Sequence, residues 1–96
     1  MAKGYWVSVY EEIMNPDGLA AYAELAGPAA KKYGGNFLAR GGECLAKEGL
    51  PASRTVLVEF DSFEQAQAAY NSADYQAALE KLKGSVKRHF RIVEGA

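Results

Sequence analysis

The chain has 96 residues, 49% of them hydrophobic, with eleven Lys and Arg against twelve Asp and Glu and a net charge of -1. That length fits one domain over residues 1–96 with a core of its own, and balanced charge gives no pull toward nucleic acid or an anionic membrane. A single cysteine, Cys44, excludes an internal disulfide and a multi-cysteine zinc site. One cysteine also fits a reducing compartment, so the expected location is the cytoplasm. No apolar run approaches the roughly 18 residues of a membrane span, and no apolar leader precedes the first strand, so neither export nor membrane insertion is expected.

The first predicted strand covers residues 3–10. Tyr5, Val7 and Val9 alternate with Trp6, Ser8 and Tyr10. Successive strand side chains point to opposite faces, so this strand has no polar face and both sides need cover. Asn15-Pro16-Asp17 opens a helix: Asn is a good N-cap, Pro suits the first helical position, and Asp complements the positive helix end. Leu19, Tyr22, Ala26, Ala29 or Ala30, and Tyr33 form its apolar stripe. Gly27-Pro28 predicts a kink or restart, Lys31 and Lys32 fall in the last turn, and Gly34 follows as a C-cap.

The second strand is predicted from residue 35 or 36 to about 44, with Gly41-Gly42 permitting a bulge or a close backbone approach. Residues 45–53 read as a hairpin-type connection. Residues 54–60, RTVLVEF, are the clearest strand, rich in β-branched side chains. A second helix opens at 61–65, where Ser62 and Gln65 match a capping box. Phe63, Ala66, Ala69 and Tyr70 line its inner side. Asn71-Ser72 breaks it, and Tyr75, Ala78, Leu79 and Leu82 continue at helical spacing to Gly84. The last strand is residues 89–93. Leu19-Ala20-Ala21-Tyr22 is faintly echoed by Gln67-Ala68-Ala69-Tyr70.

The order βαββαβ predicts an α+β, ferredoxin-like arrangement: a four-stranded antiparallel sheet with two helices on one face. The aliphatic set, Val7 and Val9, better suits packing under helices. Trp6, Ser8, Tyr10, Thr55, Leu57 and Glu59 are therefore expected on the open face. An apolar open face is most simply buried by a second copy, which makes Trp6, Ser8, Tyr10 and Leu57 the expected dimer interface.

Several segments together resemble a known family. They are residues 3–7 (KGYWV), 25–29 (LAGPA), 32–35 (KYGG), 37–42 (FLARGG), 58–64 (VEFDSFE) and 70–76 (YNSADYQ). Nearly the whole chain is similar to the domain-of-unknown-function family 1330 (DUF1330), within the dimeric α+β barrel superfamily. The resemblance implies this fold and a homodimer. It implies no reaction, because the family has no established one and the superfamily's members range from cofactor-independent monooxygenases and lactone isomerases to stress-response proteins and haem enzymes.

Candidate site residues follow from chemistry out of place. Arg40, beside Gly41-Gly42, is either an anchor for a carboxylate or enolate or half of an ion pair with Glu59. Glu59, inside an apolar strand, is either a general base or a salt-bridged or hydrogen-bonded dimer contact. Tyr22, Tyr33, Tyr70 and Tyr75 either line a pocket for a flat ligand or pack in the core. Ser72 with Tyr75 marks the helix break, although an N-cap role explains Ser72. His89, the only histidine, lacks metal-ligand spacing and reads as a surface residue; Cys44 reads as a half-buried thiol. An RNA-recognition role needs aromatics on the open face of the third strand, where Thr55 and Leu57 stand. There is no CxxC, Walker or dinucleotide-binding glycine pattern.

The expected function is a homodimer that binds a small carboxylated or aromatic metabolite without metal or cofactor, with cofactor-independent acid/base or oxygen chemistry open to it. Arg40, Glu59, Tyr22, Ser72 and Tyr75 would form the ligand site, and Glu59 and Arg40 are the catalytic candidates. The alternative is a non-catalytic dimeric interaction or regulatory module.

Overall fold

A computed structural model of the chain describes residues 2–51 and 53–96. Its elements are β1 (Gly4–Ile13), α1 (Pro16–Lys32), β2 (Asn36–Arg40), β3 (Arg54–Phe60), α2 (Phe63–Asn71), α3 (Ala73–Leu82) and β4 (Val86–Glu94). The strands form one antiparallel sheet in the order β2-β3-β1-β4, the ferredoxin-like α+β arrangement. No helix is long and apolar enough to cross a membrane among the described residues.

Local chemistry sets the element ends. The Asn15 side chain accepts from the backbone N–H groups of Asp17 and Gly18 at 3.1 and 3.3 Å, and Pro16 takes the first helical position. The helix does not restart at Gly27-Pro28: α1 runs unbroken to Lys32 with Pro28 inside it. The expected break at Asn71-Ser72 does occur, giving three helices where two were expected. Ser72 is extended, and its hydroxyl accepts from the Tyr75 N–H at 3.2 Å while donating to the Ala69 carbonyl at 2.8 Å. Half of the capping box forms at Ser62: its hydroxyl accepts from the Gln65 N–H, but the Gln65 side chain donates to the Tyr33 carbonyl at 2.6 Å instead of turning back.

The strand bounds differ from expectation at three places. β1 continues past a bulge between Tyr10 and Glu12 to Ile13, and β4 begins earlier, at Val86, to pair with it. β2 ends at Arg40 instead of near residue 44. The next residue, Gly41, turns the chain at a φ of +74°, a conformation that glycine adopts without cost. The expected connection 45–53 includes Ala52, which lies outside the described residues; Leu45 and Leu50 within it are each 72% exposed.

The two faces of β1 are the reverse of those expected. Trp6, Ser8 and Tyr10 lie under the helices, with Trp6 3% exposed, while Tyr5, Val7 and Val9 face away. The Trp6 indole donates to the Ala66 carbonyl at 2.8 Å, and its ring packs on Tyr75, Phe60 and Phe90 with centroids 4.7, 4.9 and 5.3 Å apart. The physical reason lies in the helices. Their inner sides are mostly alanine (Ala26, Ala29, Ala30, Ala66, Ala69, Ala78), leaving depth that only large sheet side chains fill.

Register orders the covered face into rows across β2, β3, β1 and β4. One row is Phe37–Val58–Trp6–Ile92, the next Arg40–Val56–Ser8–Phe90, and the last is Arg54–Tyr10–Arg88. The face under the helices thus grades from aromatic to cationic along the strands. The uncovered face carries Tyr5, Val7, Val9, Leu57 and Val93 with Thr55, Glu59, His89 and Arg91. Thr55, Leu57 and Glu59 are on the expected side.

Candidate functional site

At the cationic end, α1 and the sheet leave a pocket. Its lining includes Ser8 and Tyr10 of β1, Tyr22 and Gly27 of α1, Arg40, Arg54 and Arg88. The volume open to the centres of water-sized spheres is about 40 Å³. On that measure one water needs about 10–15 Å³, so the pocket suits a ligand of a few non-hydrogen atoms.

Each arginine is placed by its strand register. Arg54 and Arg88 are both direct cross-strand neighbours of Tyr10, one on either side. Two strand spacings put their backbones about 9–10 Å apart. Their guanidinium carbons lie 5.9 and 5.5 Å from the Tyr10 ring centroid. Arg40, one row along, stacks over Phe37 at 4.2 Å and extends toward α1.

A Cβ at Gly27 would meet Arg40 Nη2 at 2.7 Å, so this helical glycine makes room for the guanidinium. Gly27→Ala is expected to displace Arg40, the flexible partner, and keep the helix. Glycine inside a helix costs about 1 kcal/mol relative to alanine. Since each kcal/mol moves the Tm of such a domain by about 4–8 °C, a thermal melt should show an unchanged or higher Tm for the alanine variant.

Arg88 is the most elaborately held of the three. It donates to Ser8 Oγ, the Tyr10 hydroxyl, the Tyr22 hydroxyl and the Tyr75 hydroxyl at 3.1–3.3 Å. The Tyr22 and Tyr75 hydroxyls are themselves 2.5 Å apart. Burial raises the pKa of both phenols, against the opposing pull of Arg88, so both remain protonated at neutral pH. For Arg88, burial opposes the charge and the tyrosine oxygens around it outweigh that effect, shifting the guanidinium upward. With the phenols neutral, hydroxyl dipoles rather than anions surround it.

None of the ion pairs among the described residues involves an arginine. No Asp or Glu lines the pocket. Arg54 Nε is buried with no hydrogen-bond partner, the only such side-chain nitrogen or oxygen among the described residues. A buried donor left unpaired is costly.

The hydroxyls add to this excess of donors. Ser8, Tyr10 and Tyr22 each accept from Arg88. Tyr75 does not line the pocket. When Tyr75 donates to Tyr22, the Tyr22 proton is free to point inward, as are those of Ser8 and Tyr10. The polar side chains lining the pocket therefore offer donors to whatever enters, and a complementary ligand is an acceptor that carries negative charge.

The structure divides the expected site residues. Arg40 and Tyr22 line the pocket, and Tyr75 stands directly behind Tyr22. Ser72 is an N-cap, with both hydrogen bonds directed at backbone. Glu59 is on the opposite face of the sheet, accepting from the Tyr5 hydroxyl at 3.2 Å and sitting across from Asn36, whereas Arg40 sits across from Val56. Arg40 and Glu59 therefore neither pair nor share a site. Tyr33 and Tyr70 pack against the core, and the Tyr70 ring lies tilted against Phe90 with centroids 5.1 Å apart. His89 is at the surface, paired with Glu11 at 2.8 Å. Cys44 is exposed rather than half-buried. No three His, Cys, Asp or Glu residues gather to hold a metal among the described residues.

Sequence reasoning missed Arg54 and Arg88. The signal was present: counting back in twos from Phe60 through Val58 and Val56 places Arg54 on the same face.

Solved structures share this architecture. A protein of unknown function from Rhodopseudomonas palustris superposes with a TM-score of 0.75 at 16% identity, covering 99% of this chain and 83% of that one. A Caulobacter crescentus protein provisionally described as an antibiotic biosynthesis monooxygenase gives 0.59 at 11% identity, covering 99% and 90%. A dimeric ferredoxin-like protein of unknown function from Thermobifida fusca gives 0.56 at 16% identity, covering 96% and 90%. These likenesses show the fold. No curated protein matches the chain. The model of the domain of unknown function DUF1330 matches residues 3–96, and the chain belongs to that family.

Proposed function

We propose that the protein binds a small carboxylate in the pocket of each subunit of a homodimer. One observation carries the ligand reading: three arginines converge on a tyrosine-lined pocket that contains no carboxylate. A bound carboxylate would supply the missing acceptor for Arg54 Nε and for the inward hydroxyls, and would neutralise charge that the protein leaves uncompensated. The aromatic walls of Tyr10, Tyr22, Phe37 and Phe90 would pack on the short carbon skeleton of such a ligand. With Glu59 on the far face, acid/base chemistry here would rest on a tyrosine hydroxyl as proton donor, so binding is the better supported role.

The dimer reading rests on the uncovered face. Tyr5, Val7, Val9, Leu57 and Val93 form a contiguous apolar surface on the central strands and β4, which a second copy would bury. The interface then uses Leu57, as expected, and Val7 and Val9 in place of Trp6, Ser8 and Tyr10. The Thermobifida fusca protein of the same fold is described as dimeric, which supports this assembly.

The ligand reading is tested by thermal shift against a panel of small carboxylates, aromatic ones included. Binding raises Tm, and the increase should vanish in Arg88→Leu while the variant keeps its native circular dichroism spectrum. An Arg88→Leu protein stabilised as much as the parent would sink the proposal.

A further inference from the structure

The three arginines are not equivalent, and their arrangement narrows the ligand. Resting on the carboxylate-binding reading above, we infer that the pocket is built for a short dicarboxylate, with one carboxylate at Arg88 and the other at Arg40 and Arg54.

The pocket has two chemically distinct ends. At the inner end, Arg88 is fixed by four hydroxyls, including that of Tyr75, whose side chain is fully buried. Its Nη1 is shared among Ser8, Tyr10 and Tyr22 and its Nη2 donates to Tyr75, so an anion there would also be met by the Ser8, Tyr10 and Tyr22 protons that Arg88 polarises. At the solvent end, Arg40 is exposed and reaches over Phe37 toward Gly27. Arg54 turns to the same side, with its guanidinium packed against Gly41, the residue that follows Arg40. Its unpartnered Nε is the second, independent sign that an acceptor belongs there.

A single compact anion fits this distribution poorly. A phosphate or sulfate is gripped by donors that converge on one point. Here the cationic groups attach to different neighbours: Arg88 to the hydroxyls, Arg40 to Phe37 and Gly27, and Arg54 to Gly41. Two anionic groups joined by a short linker would reach both ends. The small free volume keeps that linker to one or two carbons. Charge points the same way: three guanidinium groups with no acid among the lining residues favour a dianion over a monoanion.

The experiment is calorimetric titration of the native protein with malonate, acetate and sulfate at constant ionic strength, repeated on Arg40→Gln and Arg54→Gln. Arg40 is exposed, so its variant should fold whatever happens to the other. Malonate is expected to bind at least about tenfold more tightly than acetate, since each charge-assisted contact is worth about that much. Arg40→Gln should remove most of this advantage, bringing the malonate affinity close to that for acetate. Equal affinity for acetate and malonate would overturn the dicarboxylate inference and leave carboxylate binding standing. Sulfate binding as tightly as malonate would overturn it in favour of one compact anion site. Malonate affinity unchanged in both glutamine variants would show that the outer arginines hold nothing. No binding of either carboxylate would remove the underlying reading as well.

Discussion

Trp6→Ala should strongly destabilise the fold of each subunit rather than release a stable folded monomer. The side chain fills the space beneath an alanine-lined helix layer and touches Phe60, Tyr70, Tyr75 and Phe90. Truncating a buried tryptophan costs about 3–5 kcal/mol, against a total stability of roughly 5–15 kcal/mol for a domain of this kind. The indole also donates to the Ala66 carbonyl within α2, so the variant loses that buried hydrogen bond as well. At about 4–8 °C per kcal/mol, Tm should fall by well over 10 °C, with loss of the near-ultraviolet dichroism of the aromatic cluster. A variant that melted within a few degrees of the parent would place Trp6 outside the core.

The opposite face should respond in the opposite way. Val7 and Leu57 are directly paired across β1 and β3 at the centre of the uncovered surface. Under the proposed assembly a two-fold axis brings each residue and its copy into one interface. Val7→Asp with Leu57→Asp then sets four carboxylates in a closely packed apolar contact, and their desolvation and repulsion should abolish the dimer. In the single subunit those positions look toward solvent, so secondary structure should persist. Light scattering coupled to size exclusion would read the change as a shift from twice the 10.4 kDa chain mass to the chain mass itself. A parent protein already at 10.4 kDa, or a double variant that stays at twice that mass, would rule out this interface.

Much of the fold was legible because its signals are local. Asn15-Pro16 and Ser62 mark helix starts, Ser72 marks the break between α2 and α3, and the β-branched run from Arg54 marks β3. The side of the sheet the helices cover was not, because that depends on volume matching between layers. Val7 and Val9 look like core residues in isolation, but an alanine-faced helix leaves a gap that valine cannot fill. The inversion then carried through to the site. With Trp6, Ser8 and Tyr10 expected outward, nothing in the sequence drew Arg54 and Arg88 toward a pocket, and Glu59 stood as a partner for Arg40. Register alone separates them: Glu59 lies opposite Tyr5 and Arg54 opposite Tyr10, and those two tyrosines of β1 face opposite ways.

The gradient along the covered face has a consequence for how a ligand arrives. The chain carries a net charge of -1, so at long range it neither attracts nor repels an anion strongly. Close in, three of its four arginines crowd one opening whose walls are aromatic and weakly polarisable by solvent. Field lines concentrate in such an opening, and at physiological salt they fade within about 8 Å. Capture of the proposed ligand would therefore be a short-range event. Under the proposed carboxylate binding, the molecule would not gather anions from the surrounding solution but would hold those that reach the mouth.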